Sequence, residues 1–304
     1  MERSLSCTPL FDCSSSKSFC RCSTGSKAPF AGSKNNWHNF RMKIIETEGI
    51  VLKTMDFKEK DCILTFLTRD VGKKSGVLHG GKSVRSGNAA KAELFVINHF
   101  EFSEKQDADL VRIRKCELLE SYPPIRRNYS KFLHANYFTE LLLQCEIPAV
   151  ESQDYFDLLK QAISQLSNSK TGIEIKFNFE LQLLKLFGIQ PNLESCVQCN
   201  SDLWQKKSGR SLAPKFSVPY QLDAGLGGIR CPNCCIRNSS SAYLHPGSLA
   251  FFRGRQTSLQ SDSAIRPTQN NLKELDQALY VYFRHFFGRD LKSHSLLKEN
   301  SWKS

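Results

Sequence analysis

Cys196 and Cys199 stand with two residues between them, and so do Cys231 and Cys234. Two intervening residues let a chain turn until both sulfurs of a pair reach one point. Two such pairs can surround a tetrahedral ion, and zinc on four thiolates at about 2.3 Å per bond is the usual occupant. Residues 200–230, 31 positions, separate the pairs, against the roughly 15–20 of the commonest zinc ribbons. Phe216, Tyr220 and Gly225-Leu226-Gly227-Gly228 read as a short β excursion within that gap. Cys235 stands next to the second pair as an alternative ligand, although Cys231 with Cys234 keeps the two-residue spacing. Thioredoxin-like redox chemistry needs one pair ahead of a helix in an α/β domain, and that context is missing. Deaminase-type catalytic zinc needs an open coordination position, a His-x-Glu, and a proline before Cys-x-x-Cys. His99-Phe100-Glu101 occurs far upstream in strand-like alternation, and Ser195 and Arg230 stand where the proline belongs. Four thiolates close the site. The prediction is a structural zinc that staples an insertion at about 192–240, too small to fold on a core of its own.

A second cluster is electrostatic. Lys73, Lys74, Lys82, Arg85 and Lys91 fall in one stretch with no acidic residue, interleaved with glycines 76, 80, 81 and 87 and serines 75, 83 and 86. Such a loop can follow a phosphate backbone without reading bases. These five residues are the candidate DNA contacts, with a merely solvated loop as the plain alternative. Arg112, Arg114, Lys115, Arg126 and Arg127 are candidates to extend the patch. Gly76-Val77-Leu78-His79-Gly80-Gly81-Lys82-Ser83 also fits the phosphate-loop pattern letter by letter. Its setting argues against a nucleotide hydrolase: the match sits in an all-β stretch, with no crossover helix after it and no second acidic strand motif.

The elements that must position these residues follow from periodicity. Residues 48–53, 61–68, 74–81, 92–102 and 109–118 are short β-rich runs between turn residues. In the last, Leu110, Arg112 and Arg114 alternate with Val111, Ile113 and Lys115, a strand with one face to solvent. Five strands in this length suit a small closed barrel of the oligonucleotide-binding (OB-fold) type. After Pro123-Pro124 the apolar period lengthens to three and four. Helices are predicted around 132–142, 151–167, 173–187 and 271–287, with a mobile Gln/Ser/Asn-rich connection at 256–271. The predicted fold is α+β and multidomain. An OB-fold β-barrel at 43–122 precedes an α-helical domain at 123–304 that carries the inserted four-cysteine zinc module.

Bulk properties bound the rest. The 304-residue chain has 40% hydrophobic and 24% charged residues, ordinary for a soluble globular protein; its formal charge of +12 favours an anionic partner without choosing between nucleic acid, acidic protein and membrane surface. No run approaches the roughly 20 apolar residues of a membrane span. Residues 1–41 hold six basic and two acidic residues amid serines and lack the apolar core of a secretory signal. Residues 1–42 are therefore expected to be a disordered extension, faintly like a transit peptide, or to mark a mis-assigned start with Met42 as the natural first residue. Cys7, Cys13, Cys20 and Cys22 in this tail have poor spacing for a metal site.

An ordered set of blocks carries a resemblance. It runs Glu-Gly-Ile-Val-Leu-Lys at 48–53, the stretch from Glu59 through Thr68, and Gly72 through Lys82. It continues with Phe179 through Pro191 leading into Cys-x-x-Cys, Gly-Gly-Ile-Arg-Cys-x-x-Cys, and Phe287-Gly-Arg-Asp-Leu-Lys-Ser. From about residue 43 to 297 the chain resembles the RecO family of bacterial recombination mediators and DNA repair proteins. The resemblance implies an OB-fold barrel, a helical domain and a zinc module on the four cysteines. It implies a protein that is not an enzyme, binds single- and double-stranded DNA, anneals complementary strands, and helps load RecA onto DNA coated by single-strand-binding protein. Implied partners are RecR, the acidic C-terminal tail of single-strand-binding protein, and functionally RecA and RecF; the implied location is the cytoplasm, at the bacterial nucleoid, with no membrane partner. Only the basic character of residues 73–91 carries over from the family's DNA contacts, and residues 1–41 have no counterpart. The rival reading is a zinc-stapled interaction scaffold whose basic face takes an acidic peptide.

Overall fold

The computed structural model describes residues 43–85, 87–104, 110–206, 212–236, 242–257 and 267–301. The expectations for residues 1–42, including the four tail cysteines and Met42, lie outside these residues, as do those for Ser86 and for 258–266 of the anticipated connection. Five strands form the N-terminal part: β1 (Lys43–Phe57), β2 (Asp61–Thr68), β3 (Lys73–Leu78), β4 (Ile97–Glu104) and β5 (Val111–Glu120). They close a barrel in the order β1-β2-β3-β5-β4. Hairpins join β1 to β2, β2 to β3 and β4 to β5, and the ring closes where β3 and β5 run parallel at Gly76↔Val111 and Val77↔Arg112. Leu64, Phe66, Phe100, Phe102 and Val111 fill the interior, with the Phe66 and Phe100 rings stacked at 4.1 Å. The predicted alternation of β5 fails at one point. Val111 and Ile113 face inward and Arg112 and Arg114 outward, but Cys116, not Lys115, is the next buried residue. A bulge opposite Glu101 and Phe102 inserts one extra residue and reverses the phase.

Helices follow: α1 (Pro123–Arg127), α2 (Tyr129–Gln144), α3 (Ser152–Asn168) and α4 (Ile173–Leu186). The Asn128 side chain caps α2 by accepting the Lys131 N–H at 3.0 Å. Short strands come next: β6 (Trp204–Lys206), β7 (Leu212–Pro214), β8 (Tyr220–Asp223), β9 (Gly228–Arg230) and β10 (Ala242–Leu244). The chain ends in α5 (Pro246–Thr257), α6 (Gln269–Phe287) and α7 (Lys292–Ser301). The anticipated connection is therefore shorter than 256–271, because Gln256 and Thr257 finish α5 and a Thr268–Asn271 capping box starts α6.

Barrel and helices share one apolar core. Leu52, Leu67, Phe95 and Ile97 from the barrel pack in the same cluster as Leu133, Phe138, Tyr155 and Phe156. At the β2–β3 turn the Ser152 hydroxyl donates to the Thr68 carbonyl (2.5 Å) and accepts the Gly72 N–H (3.0 Å). Arg69 bridges Glu48 and Asp157 at 3.3 and 3.2 Å.

Within the helices lies a buried ionic knot that periodicity alone does not announce. The Lys176 ammonium, only 2% exposed, sits 2.6 Å from Glu180 and 2.9 Å from Asp276. Tyr137 donates its hydroxyl to Glu180 at 2.5 Å, and His294 of α7 lies 3.2 Å from Asp276. Burial alone would raise Asp276, yet the Lys176 ammonium and the His294 ring hold its carboxyl well below the usual carboxylate range. The knot ties α2, α4, α6 and α7 together.

Candidate metal centre and nucleic-acid interface

Two local turns build the metal centre. At the first, the Cys196 N–H donates to the Ser201 carbonyl and the Asn200 N–H to the Cys196 carbonyl, both at 2.9 Å, with Asn200 in the left-handed region at φ 56°. At the second, Pro232 opens a 3-10 turn and the Cys234 N–H donates to the Cys231 carbonyl at 2.9 Å. Val197 N–H to Ile229 carbonyl, 2.9 Å, pins one turn to the strand that leads into the other. The sulfurs of Cys196, Cys199, Cys231 and Cys234 all lie within 4.8 Å of one another. Cys199 and Cys231 are 3.8 Å apart, the edge of a tetrahedron whose centre is about 2.3 Å from each sulfur. The Cys231 N–H donates to the Cys196 sulfur at 3.2 Å. Arg230 spans the two turns, donating to Asp223 (2.6 Å), to the Gln198 side chain (2.9 Å) and to the Cys234 carbonyl (3.4 Å).

The thiols are electrostatically unequal. Hydrogen bonds from the Ser201 side chain and backbone bring Cys199 down to about 6. Sharing hydrogen bonds with Cys199 and Cys231 pushes Cys234 up to about 12. Four thiolates this close cannot all ionise unless a cation sits among them, so the donor set, its spacing and its charge suit a soft divalent metal ion. Cys235 is outside the group: its sulfur turns to the Cys231 carbonyl at 3.4 Å. His99 and Glu101 lie on β4 of the barrel, with His99 4.0 Å from Glu46, and are not part of the cysteine group.

The five candidate DNA contacts fare differently, because a stretch free of acids in sequence meets acids in space. Lys73 donates to the Leu142 and Leu143 carbonyls (2.9 and 3.0 Å) at the end of α2, and burial lowers its ammonium from the ordinary lysine value. It is a cap for a helix C-terminus, not an outward contact. Lys74 shares its face with Phe66 and pairs with Glu104 at 2.6 Å at the barrel rim. Lys91 bonds Asn88 at 3.0 Å. Lys82 donates to the Lys58 carbonyl at 2.9 Å and stands 3.4 Å from Asp56, while Arg85 is exposed. Nor does residue 82 open a helix, as a phosphate loop requires; among the described residues, turns and irregular chain follow it as far as residue 89.

What the fold assembles instead is a row across four strands. Met55 pairs with Ile63, Ile63 with Val77, and Val77 with Arg112, so these side chains share one outer face of the barrel. Beside it runs Lys53↔Thr65↔Ser75, with the two hydroxyls 3.0 Å apart. Exposed Lys58 and Lys60 of the β1–β2 turn stand at the end of this face. Asp61 fixes that turn to the β3 loop by accepting from Gly80 N–H (2.9 Å) and pairing with His79 (3.1 Å). Sequence reading missed this face because its residues come from four strands. The alternation of each strand was its only trace. The β1–β4–β5 side of the barrel carries paired charges: Glu46 stands across from Glu101 and Glu48 from His99 and then Glu117, with Arg69, Arg114 and Lys115 bridged to Glu48, Glu101 and Glu117. Of the proposed extensions, Arg112 joins the row, Arg114 faces Glu101 at 3.6 Å, Lys115 pairs with Glu117, and Arg126 pairs with Glu93.

Comparison with known proteins places the chain in a family. Residues 42–122 match the family model described as Recombination protein O N terminal, and residues 126–295 the one described as Recombination protein O C terminal. The chain is similar to the DNA repair protein RecO of Syntrophus aciditrophicus, 26% identical over 258 residues that cover 84% of this chain and 95% of that one. It is 27% identical to the DNA repair protein RecO of Moorella thermoacetica over 260 residues, 84% of this chain and 91% of the relative. To that of Symbiobacterium thermophilum it is 27% identical over 259 residues, 84% and 97%. Among the described residues no helix is long and apolar enough to cross a membrane.

Proposed function

The chain belongs to the RecO family of DNA repair proteins, and from that premise we propose that it is a recombination mediator that works without catalytic turnover. The barrel serves as an OB-fold for single- and double-stranded DNA. The observation that carries this reading is the Met55–Ile63–Val77–Arg112 row, flanked by Lys53, Lys58 and Lys60. Bases lie on the apolar part while Arg112 and the turn lysines take phosphates. A base held by its face keeps its pairing edge outward, so a bound strand stays open to its complement, and annealing follows from the binding mode.

Zinc is the proposed occupant of the four cysteines. It would hold the two turns together and do no chemistry, since four protein ligands leave no open position. In the cell the protein would act with RecR, and with RecF, to help RecA onto DNA coated by single-strand-binding protein, in the cytoplasm at the nucleoid. A second reading also has support. A cleft of about 300 Å3 between β1, α2 and α7 is lined by Leu52, Leu94, Leu133 and Leu296, with Lys53 and Lys292 among its lining. Its chemistry suits an acidic peptide with an apolar end, such as the tail of single-strand-binding protein.

The test is fluorescence anisotropy of a labelled single-stranded oligonucleotide across a salt series. Lys58→Ala/Lys60→Ala/Arg112→Ala should flatten the slope of log affinity against log salt by about 2, at about 0.7 per lost phosphate contact. An unchanged slope with fold intact would remove the barrel face from DNA binding and leave the peptide-scaffold reading.

A further inference from the structure

A second hollow draws on no barrel residue. It holds about 410 Å3, inside the roughly 300–1,000 Å3 of ligand pockets. Its walls are the turn after α4, the β8–β9 turn and the end of α6. Gly188 and Gly227 take left-handed φ of 66° and 69° in these turns, which turn the chain back and bring Ile189, Gln190 and Leu226 to the walls. The Tyr282 hydroxyl donates to the Ile189 carbonyl at 2.9 Å and fixes α6 to the first wall. Phe286 is 46% exposed, and its ring is backed by Phe187 at 5.5 Å and Phe287 at 5.3 Å. An adjoining hollow of about 370 Å3 is lined by Arg284, His285, Gly288, Arg289 and Asp290, so its two guanidiniums share the rim with one carboxylate. The acids nearby are engaged: Asp290 accepts the Tyr280 hydroxyl (2.9 Å) and faces Arg284 at 3.7 Å, and Asp223 is held by Arg230 at 2.6 Å.

We propose that this hollow is a second contact for single-stranded nucleic acid, with one base against Phe286 and its flanking phosphates on Arg284 and Arg289. A flat exposed ring stacks on any base. Two guanidiniums on one rim suit the flanking phosphates. The β1–α2–α7 cleft, lined by Leu52, Leu94, Leu133 and Leu296, is the alternative seat for a peptide anchor. The inference rests on the nucleic-acid reading above and deepens it. With two separate contacts, one chain holds two strands at once, or one strand at two points.

The experiment uses the full chain and a long thymidine oligomer carrying 5-iodouracil. Irradiation should cross-link Phe286, read by mass spectrometry. Arg284→Ala/Arg289→Ala should weaken binding about tenfold and flatten the salt slope by about 1.4, two phosphates at about 0.7 each. Phe286→Leu, which keeps packing against Phe187, should weaken binding with the slope unchanged. If these variants bind as wild type while the Lys58/Lys60/Arg112 variant weakens, the barrel reading stands and this inference falls. It falls equally if the arginine pair loses only an acidic, phenylalanine-ended peptide and keeps DNA. A wild-type chain that binds no DNA at low salt overturns both.

Discussion

The cysteine turns and the basic loop are both clusters of chemically alike residues, yet the fold treats them oppositely. The four sulfurs converge to within 4.8 Å. Of the five cations, Lys73 and Lys74 are absorbed into the structure by Leu142, Leu143 and Glu104. The difference is one of range. A Cys-x-x-Cys turn is a local geometry, so spacing in the chain becomes spacing in space. An electrostatic patch is a sum over every charge that folding brings near, and sequence distance says little about that sum.

Perturbation should expose the same contrast. The largest effect is expected at the metal centre. Cys196→Ser should abolish stoichiometric zinc and leave residues 192–240 open to limited proteolysis, with the barrel still protected, because metal binding and local folding are one equilibrium. A variant that keeps its metal content would break the comparison from the cysteine side. Next is the buried knot. Lys176→Met leaves Glu180 and Asp276 without their cation and should cost about 3–5 kcal/mol in denaturant unfolding. Asp276 gives the same knot a pH signature. Its carboxyl is depressed in the fold, so its contribution is full above the unfolded value of about 3.9 and is lost as pH falls toward the folded one. An acid titration of stability should steepen below about pH 4, and Asp276→Asn should remove that step. The smallest effect tests the loop itself. Lys73→Met should lower stability by about 0.3–1 kcal/mol through the lost helix cap and leave the DNA salt slope unchanged. A slope that falls with Lys73 would return that residue to the DNA interface.

The sequence was most readable where one element carries its own pattern. Residues 61–68 coincide with β2, and 173–187 with α4 to within one residue. It was least readable where a residue's role depends on a neighbour far along the chain. Lys176 and Glu180, four apart on a helix, look like a solvated pair, and only burial by α2, α6 and α7 makes them interior. A signal was present: α4 carries apolar residues on nearly every side, which leaves little surface for either charge. α1, α5 and α7 escaped notice because they are short or weakly amphipathic. The phase slip in β5 had no local cue, since a bulge is set by the partner strand. The cysteine quartet was fully legible as a site, whereas the Met55–Ile63–Val77–Arg112 row existed only as four separate alternations.

The barrel's two closing seams have a kinetic consequence. Its hairpins form between neighbours in sequence, but β1 meets β4 over eight residue pairs, Lys43↔Glu104 to Ile50↔Ile97, and β3 meets β5 over two among the described residues. Both seams demand the closure of long loops, and a seam with eight pairs offsets that entropy far better than one with two. The ring should therefore assemble as a three-stranded meander and a hairpin that join first along β1 and β4. The β3–β5 edge then shuts last, and under native conditions it opens first. Gly76 sits in that edge with Val111 so close that an added Cβ would lie 2.8 Å from its carbonyl oxygen, so enlarging this one glycine should speed the opening of the ring far more than it slows its assembly.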